Sequence, residues 1–111
     1  MTRKRADALG VASDFRQSND EGTLVDWIQE AVTAASAIVI NPAGLSFHSI
    51  AILDALRIFP GPVIELHISN IHARDEAHRH SVISQAATAV IAGVGPAGYA
   101  LAVEAAVALI G

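Results

Sequence analysis

The sequence predicts an α/β domain: a parallel sheet covered by helices on both faces. Three observations predict it. Short unbroken apolar runs recur, "AIVIN" at Ala37–Asn41, "PVIELHI" at Pro62–Ile68 and "AATAVIAGV" at Ala86–Val94, and such runs mark strands buried on both faces. Segments with a helical stripe, roughly 10–15 residues long, stand between them, and that alternation favours parallel pairing. The composition, 52% hydrophobic and 16% charged with a mean hydropathy of +0.44, is too apolar for a disordered chain. At 111 residues the chain is read as a single domain, 1–111.

The elements follow in order. Arg3–Leu9 reads as the end of a helix closed by Gly10. Val11–Ser18 is strand-like, and "NDEG" at Asn19–Gly22 is a turn. "TLVDWIQEAVTAA" puts Leu24, Trp27, Ile28, Ala31 and Val32 on one helical stripe. Ala37–Asn41 is a strand and "PAGLSFH" a loop. "SIAILDALRIF" is a helix from Ser49 that stops before Pro60–Gly61. Pro62–Ile68 and Ala86–Val94 are the next two strands. Pro96 then begins the last helix, in the position proline favours. One feature departs from a doubly wound domain: the chain opens inside a helix, with no strand before it.

Composition narrows the function. A net charge of −4 gives no field toward nucleic acid, and the basic Arg3–Arg5 is read as a solvated helix end. With no cysteine there is no disulfide, thiolate nucleophile or cysteine-bound zinc. The start lacks the apolar core of a signal peptide. The apolar tail Pro96–Ile110 holds Glu104 and is too short to cross a bilayer. No membrane partner and a cytoplasmic location are expected. So few charges on a small domain also suggest burial against copies of itself.

Two motifs carry the chemistry. "GVGPAG" at Gly93–Gly98 matches G-x-G-x-x-G, but it stands at the last strand–helix junction, and no acidic residue lies about 20 positions on. It is read as a tight turn with close helix–sheet packing. "HISNIHARDEAHRH" holds four of the five histidines, His67, His72, His78 and His80. Their spacings do not suit a helical zinc pair, so no metal is expected. His67 ends a strand at the carboxyl edge of the sheet, where ligands of such folds bind. An imidazole there can give or take a proton. The chain then turns away, and free N–H groups at such a turn could hold a carboxylate or phosphate. Asn41 ends the neighbouring strand at the same edge.

The stretches "FRQSNDEGTLVDWIQEA", "INPAGLSFHSIAILDAL", "PVIELHISNIHARDE" and "AVIAGVGPAGYALAVEA" resemble type II 3-dehydroquinate dehydratase. The resemblance runs from about Leu9 to Val107. It implies a flavodoxin-like domain, trimers assembled four to a dodecamer, and no cofactor or metal. It implies the anti elimination of water from 3-dehydroquinate through an enolate, a step of the shikimate pathway. Carried over by position, His67 falls on the general acid and Glu65 on the carboxylate that orients it. The N–H groups of Ile68 and Ser69 fall on the grip for the substrate carboxylate. Asn41 falls on the side chain that binds a ring hydroxyl, and Asp54 on an aspartate reaching a neighbouring subunit's site.

Departures from the pattern accompany these matches. The family's first strand with its asparagine, and the lid with its base tyrosine and arginine, have no counterpart in the sequence. The only tyrosine, Tyr99, lies in the last helix. Phe47 stands where the family has a substrate-binding histidine, with His48 one residue late. His78 stands where it has a substrate-binding arginine, with Arg79 one place on as the nearest replacement. The expectation is a family member with weak or no activity as this chain. The alternative is a non-catalytic binding or oligomer-forming paralogue that keeps the carboxylate pocket.

Overall fold

Among the described residues the sheet has three parallel strands in the order β1–β2–β3: β1 is Ile38–Ile40, β2 is Val63–His67 and β3 is Ala89–Ala92. The computed structural model describes residues 12–111; the helix read over Arg3–Leu9, its Gly10 stop and the basic Arg3–Arg5 lie outside the described residues. Val39 stands opposite Ile64, and Glu65 opposite both Ile40 and Val90. β2 is therefore central, and all five of its residues are buried.

Among the described residues three α-helices cover the sheet: α1 Glu21–Ala34, α2 Ile50–Ile58 and α3 Gly98–Ile110. Asp20 caps α1, its carboxylate accepting from the Thr23 N–H at 2.9 Å and the Thr23 hydroxyl at 2.7 Å. Ser49 caps α2 by accepting from the Ile52 N–H at 3.1 Å. The Ser49 hydroxyl also donates to Glu21 Oε2 at 2.6 Å, which ties the starts of the two helices together. α2 ends at Ile58, two residues before Pro60, as the sequence predicts.

The period of two along each strand sorts the core. Ile38, Ile40 and Val63 pack with Ile28 of α1 and with Ile52, Leu53 and Leu56 of α2. Val39, Ile64, Ala89 and Ile91 pack on the opposite face with Ala102 and Ala106 of α3. Two-sided coverage of a parallel sheet is thus what the apolar runs predicted, although the strands are shorter than expected at both ends. The segment expected as the loop "PAGLSFH" contains a 3-10 turn, Ala43–Phe47. Pro96 lies in a further 3-10 turn, Gly95–Ala97, that leads into α3.

The strand expected over Val11–Ser18 does not form. Residues 12–20 carry no regular structure, and Val11 lies outside the described residues. A strand needs a ladder partner, and this segment stands apart from β1 across a cleft of about 1050 Å³ lined by Phe15, Trp27, Val39, Tyr99, Val103 and Val107. Side chains hold the segment instead. Arg16 makes a two-pronged ion pair with Glu30 at 3.0 and 2.9 Å, and its guanidinium lies 5.6 Å from the Trp27 ring. Phe15 meets Tyr99 edge-on at 6.4 Å.

"GVGPAG" folds as the tight turn expected of it. Gly93 and Gly95 have φ of +89° and +67°. A Cβ on Gly98 would sit 2.7 Å from Leu66 Cδ1, so glycine lets α3 rest directly on β2.

Candidate active site

Glu65 and His67 are two apart on β2, so the pleat puts both on the face toward α2. Both are buried, at 0% and 4% exposure. A buried carboxylate needs partners for both oxygens. Oε2 pairs with His67 Nε2, and Oε1 accepts from the Ser84 hydroxyl at 2.6 Å. Burial raises the pKa of Glu65, but the hydrogen bonds of His67 and Ser84, with the nearby Ser81 hydroxyl, outweigh it and hold the carboxyl below its ordinary value. Ser81 acts by proximity: its hydroxyl is buried and makes no hydrogen bond of ordinary geometry.

With Nε2 engaged, Nδ1 is the His67 nitrogen left to exchange a proton. Glu65 also fixes the ring plane, as carboxylates behind working histidines do.

Immediately after His67 the chain leaves the sheet. The His67 and Ile68 carbonyls accept from Gly93 N–H at 3.2 Å and Gly95 N–H at 3.0 Å, which fixes the bend. Asn70 accepts from the His72 N–H at 3.1 Å and caps the short turn Ile71–Ala73, anchored by buried Ile71. The Ile68 and Ser69 N–H groups donate to no acceptor among the described residues, and both residues are exposed. Two successive free amides at a bend form an anion grip.

At the end of β1, the Asn41 Oδ1 accepts from the Ala43 N–H at 3.2 Å, and Nδ2 donates to the Tyr99 hydroxyl at 3.2 Å. Ala43 takes φ of +50° to close this turn. A cleft of about 480 Å³ gathers Asn41, Phe47, His67, Ile68, Ser69, Arg74 and His78 on its wall. His78 Nδ1 lies 2.5 Å from Asp75 Oδ1, and its ring meets Phe47 edge-on at 5.6 Å.

The structure thus brings together five of the residues singled out from sequence: Glu65 behind His67, and Asn41, Ile68 and Ser69 beside it. Arg79 and Asp54 stand elsewhere. Arg79 pairs with Glu76, which also meets His80 Nε2 at 2.7 Å, and it does not line the cleft. A side chain one place along a 3-10 turn points in a new direction, and at this turn it is His78 that faces the cleft. Asp54 is exposed on α2 and lines neither cleft. Two residues were missed. Arg74, the cation on the wall, was visible as the arginine of "HAR". Ser84 lies 19 residues from Glu65 and had no local signal. Among the described residues no three His, Asp or Glu side chains gather as a metal site would require.

Set side by side, these groups can hold a small acid by its carboxylate and give a proton to an oxygen above it. Known proteins share this chain's pattern. The family model described as dehydroquinase class II matches residues 1–107. A 3-dehydroquinate dehydratase of Caulobacter sp. (strain K31) is 53% identical over 109 residues, covering 98% of this chain and 74% of its own length. One from Streptomyces avermitilis is 58% identical over 110 residues, covering 98% and 69%. The crystal structure of a type II dehydroquinase from Propionibacterium acnes superposes with a TM-score of 0.89 at 43% identity, covering 93% of this chain and 71% of that one.

Proposed function

Because the chain belongs to the class II dehydroquinase family, we propose that it acts on 3-dehydroquinate, eliminating water to give 3-dehydroshikimate. The single observation that carries the reading is the buried Glu65–His67 pair beside the free Ile68 and Ser69 amides in one cleft. The amides and Arg74 hold the substrate carboxylate. Asn41 orients a ring hydroxyl through the second Nδ2 hydrogen, the first being given to Tyr99. His67, backed by Glu65, gives a proton to the departing hydroxyl through Nδ1. No cofactor or metal takes part.

The base that removes the carbon-bound proton is not among these groups. The sequence holds one tyrosine, Tyr99, and its hydroxyl bonds Asn41 from the side of the larger cleft. No tyrosine lines the smaller cleft. Taken alone, these 111 residues are expected to bind the substrate and turn it over weakly. General acid–base groups contribute roughly 10²–10⁴-fold each. The test follows enone absorbance and, separately, 3-dehydroquinate binding with the purified chain. Binding with slow turnover, both weakened by His67→Ala, is the expected result. Rapid turnover overturns the incompleteness; absence of binding overturns the site.

Assembly belongs to the same proposal. α2 presents Ile50 at 56% and Ile58 at 67% exposure, with Asp54 between them on the same face. This row supports self-association as trimers, four to a dodecamer, with Asp54 directed at a neighbouring copy. The proposed compartment is the cytoplasm; among the described residues no helix is long and apolar enough to cross a membrane.

A further inference from the structure

A carboxylate held by one oxygen can still swing about its last bond. Glu65 is held by two. We infer that Ser84 is a positioning residue: its hydroxyl locks the Glu65 carboxylate in the orientation that grips His67 Nε2 and leaves Nδ1 for the cleft. The inference rests on the reading of His67 as the proton donor and deepens it.

Three observations support the role. The Ser84 hydroxyl is 2.6 Å from Glu65 Oε1, the oxygen His67 does not touch. Glu65 itself is fully buried, so an oxygen that loses this donor carries a desolvation cost until a water reaches it past the exposed Ser84 position. The turn that carries Ser84, Ile83–Gln85, is also built to stay in place. Ile83 is fully buried, and the Ala86 N–H donates to the Ile83 carbonyl at 2.9 Å. The Val82 N–H donates to the Ser46 carbonyl at 2.8 Å, which joins this turn to the Ala43–Phe47 turn on the cleft wall. Ser84 therefore links a rigid surface turn to a buried acid, and its effect reaches the substrate through Glu65 and His67.

The charged groups around the pair are few. Among the described residues, His67 is the only ionisable partner hydrogen-bonded to Glu65. Arg57 of α2 reaches Gln85, next to Ser84, at 3.3 Å. Arg74 and His78 lie beyond His67 on the cleft wall.

Ser84→Thr and Ser84→Val, two near-isosteres that differ by the hydroxyl, provide the test in the complete chain. The readouts are the carbon-13 shift of the Glu65 carboxyl and the nitrogen-15 shifts of the His67 ring, each followed against pH. The threonine variant should titrate like the parent. The valine variant should raise the Glu65 midpoint by about one pH unit, the worth of one hydrogen bond to a charged acceptor. Its neutral His67 ring should also populate both tautomers. Equal titration and a single tautomer in both variants overturn the inference. Should the valine variant not fold, Ser84→Ala makes the same comparison with the threonine variant. His67→Ala activity answers a different question, so a failed acid role and a failed Ser84 role are told apart.

Discussion

Arg74 and Arg79 are five residues apart and should behave oppositely. Arg74 lines the cleft beside the free amides, while Arg79 is exposed and paired with exposed Glu76. Surface pairs of the second kind contribute little, about 0–1 kcal/mol. Removing a charge-assisted contact to a bound carboxylate costs more, about 1.5–3 kcal/mol. Arg74→Ala should therefore weaken 3-dehydroquinate binding by roughly tenfold or more, and Arg79→Ala by less than about twofold. Calorimetric titration of both variants checks this; equal losses would place the cation elsewhere. Glu65 adds a pH signature. Its pKa in the folded protein lies below the ordinary value of about 4.3. The stabilisation it brings is therefore complete above that value and disappears as pH falls through the folded one. Thermal melts of the parent and Glu65→Gln should differ by about 1–3 kcal/mol at pH 7, and the difference should shrink only once the pH drops below the ordinary carboxylate value of about 4.3. A difference that already shrinks between pH 7 and pH 5 would mean that the carboxylate is not the source.

Among the elements, those with two-sided burial were the ones legible in the sequence. β2 reads as an unbroken apolar run interrupted only by Glu65, and that interruption is the site's orienting acid. The alternation that puts Glu65 and His67 on one face is local, so it could be read. The bond from Ser84 could not, because it depends on how the turn after "HRHS" folds back over β2. Val11–Ser18 misled, over its described residues 12–18, for the complementary reason: the pattern suits a strand, but a strand exists only with a partner, and β1 is across the cleft. The α3–β2 contact gives the sharpest test of element packing. Gly98 has no room for a methyl group, since Leu66 Cδ1 and Val94 Cγ2 would lie 2.7 and 3.2 Å from its Cβ. Leu66 is fully buried and cannot easily yield. Gly98→Ala should thus destabilise by about 1–3 kcal/mol despite alanine's better helix propensity. A denaturation midpoint at or above the parent's would show that the helix can lift off the sheet without cost.

For the molecule as a whole, the question is where the remaining apolar surface goes. The chain is 52% hydrophobic, yet Ile50 and Ile58 on α2, and Leu109 and Ile110 at the end of α3, stand exposed. Covering one isoleucine is worth about 1.5–3 kcal/mol, so a row of two repeated at each contact is enough to favour association. The α2 row is the better candidate for the proposed assembly because it surrounds a charge: Asp54 sits one turn from each isoleucine. A carboxylate in that place suits a contact that leads toward a polar cleft on the next copy. Ile50→Lys with Ile58→Lys should leave the monomer folded, since both side chains are solvated, and should lower the sedimenting mass toward 11.5 kDa. Leu109→Lys, a change at an exposed position on α3, should leave the assembly intact. If the double variant keeps the parent's mass while Leu109→Lys loses it, the interface runs through α3, and Asp54 has no neighbour's cleft to reach. If the α2 variant alone dissociates and its 3-dehydroquinate affinity drops with its mass, the assembly and the site are one structure.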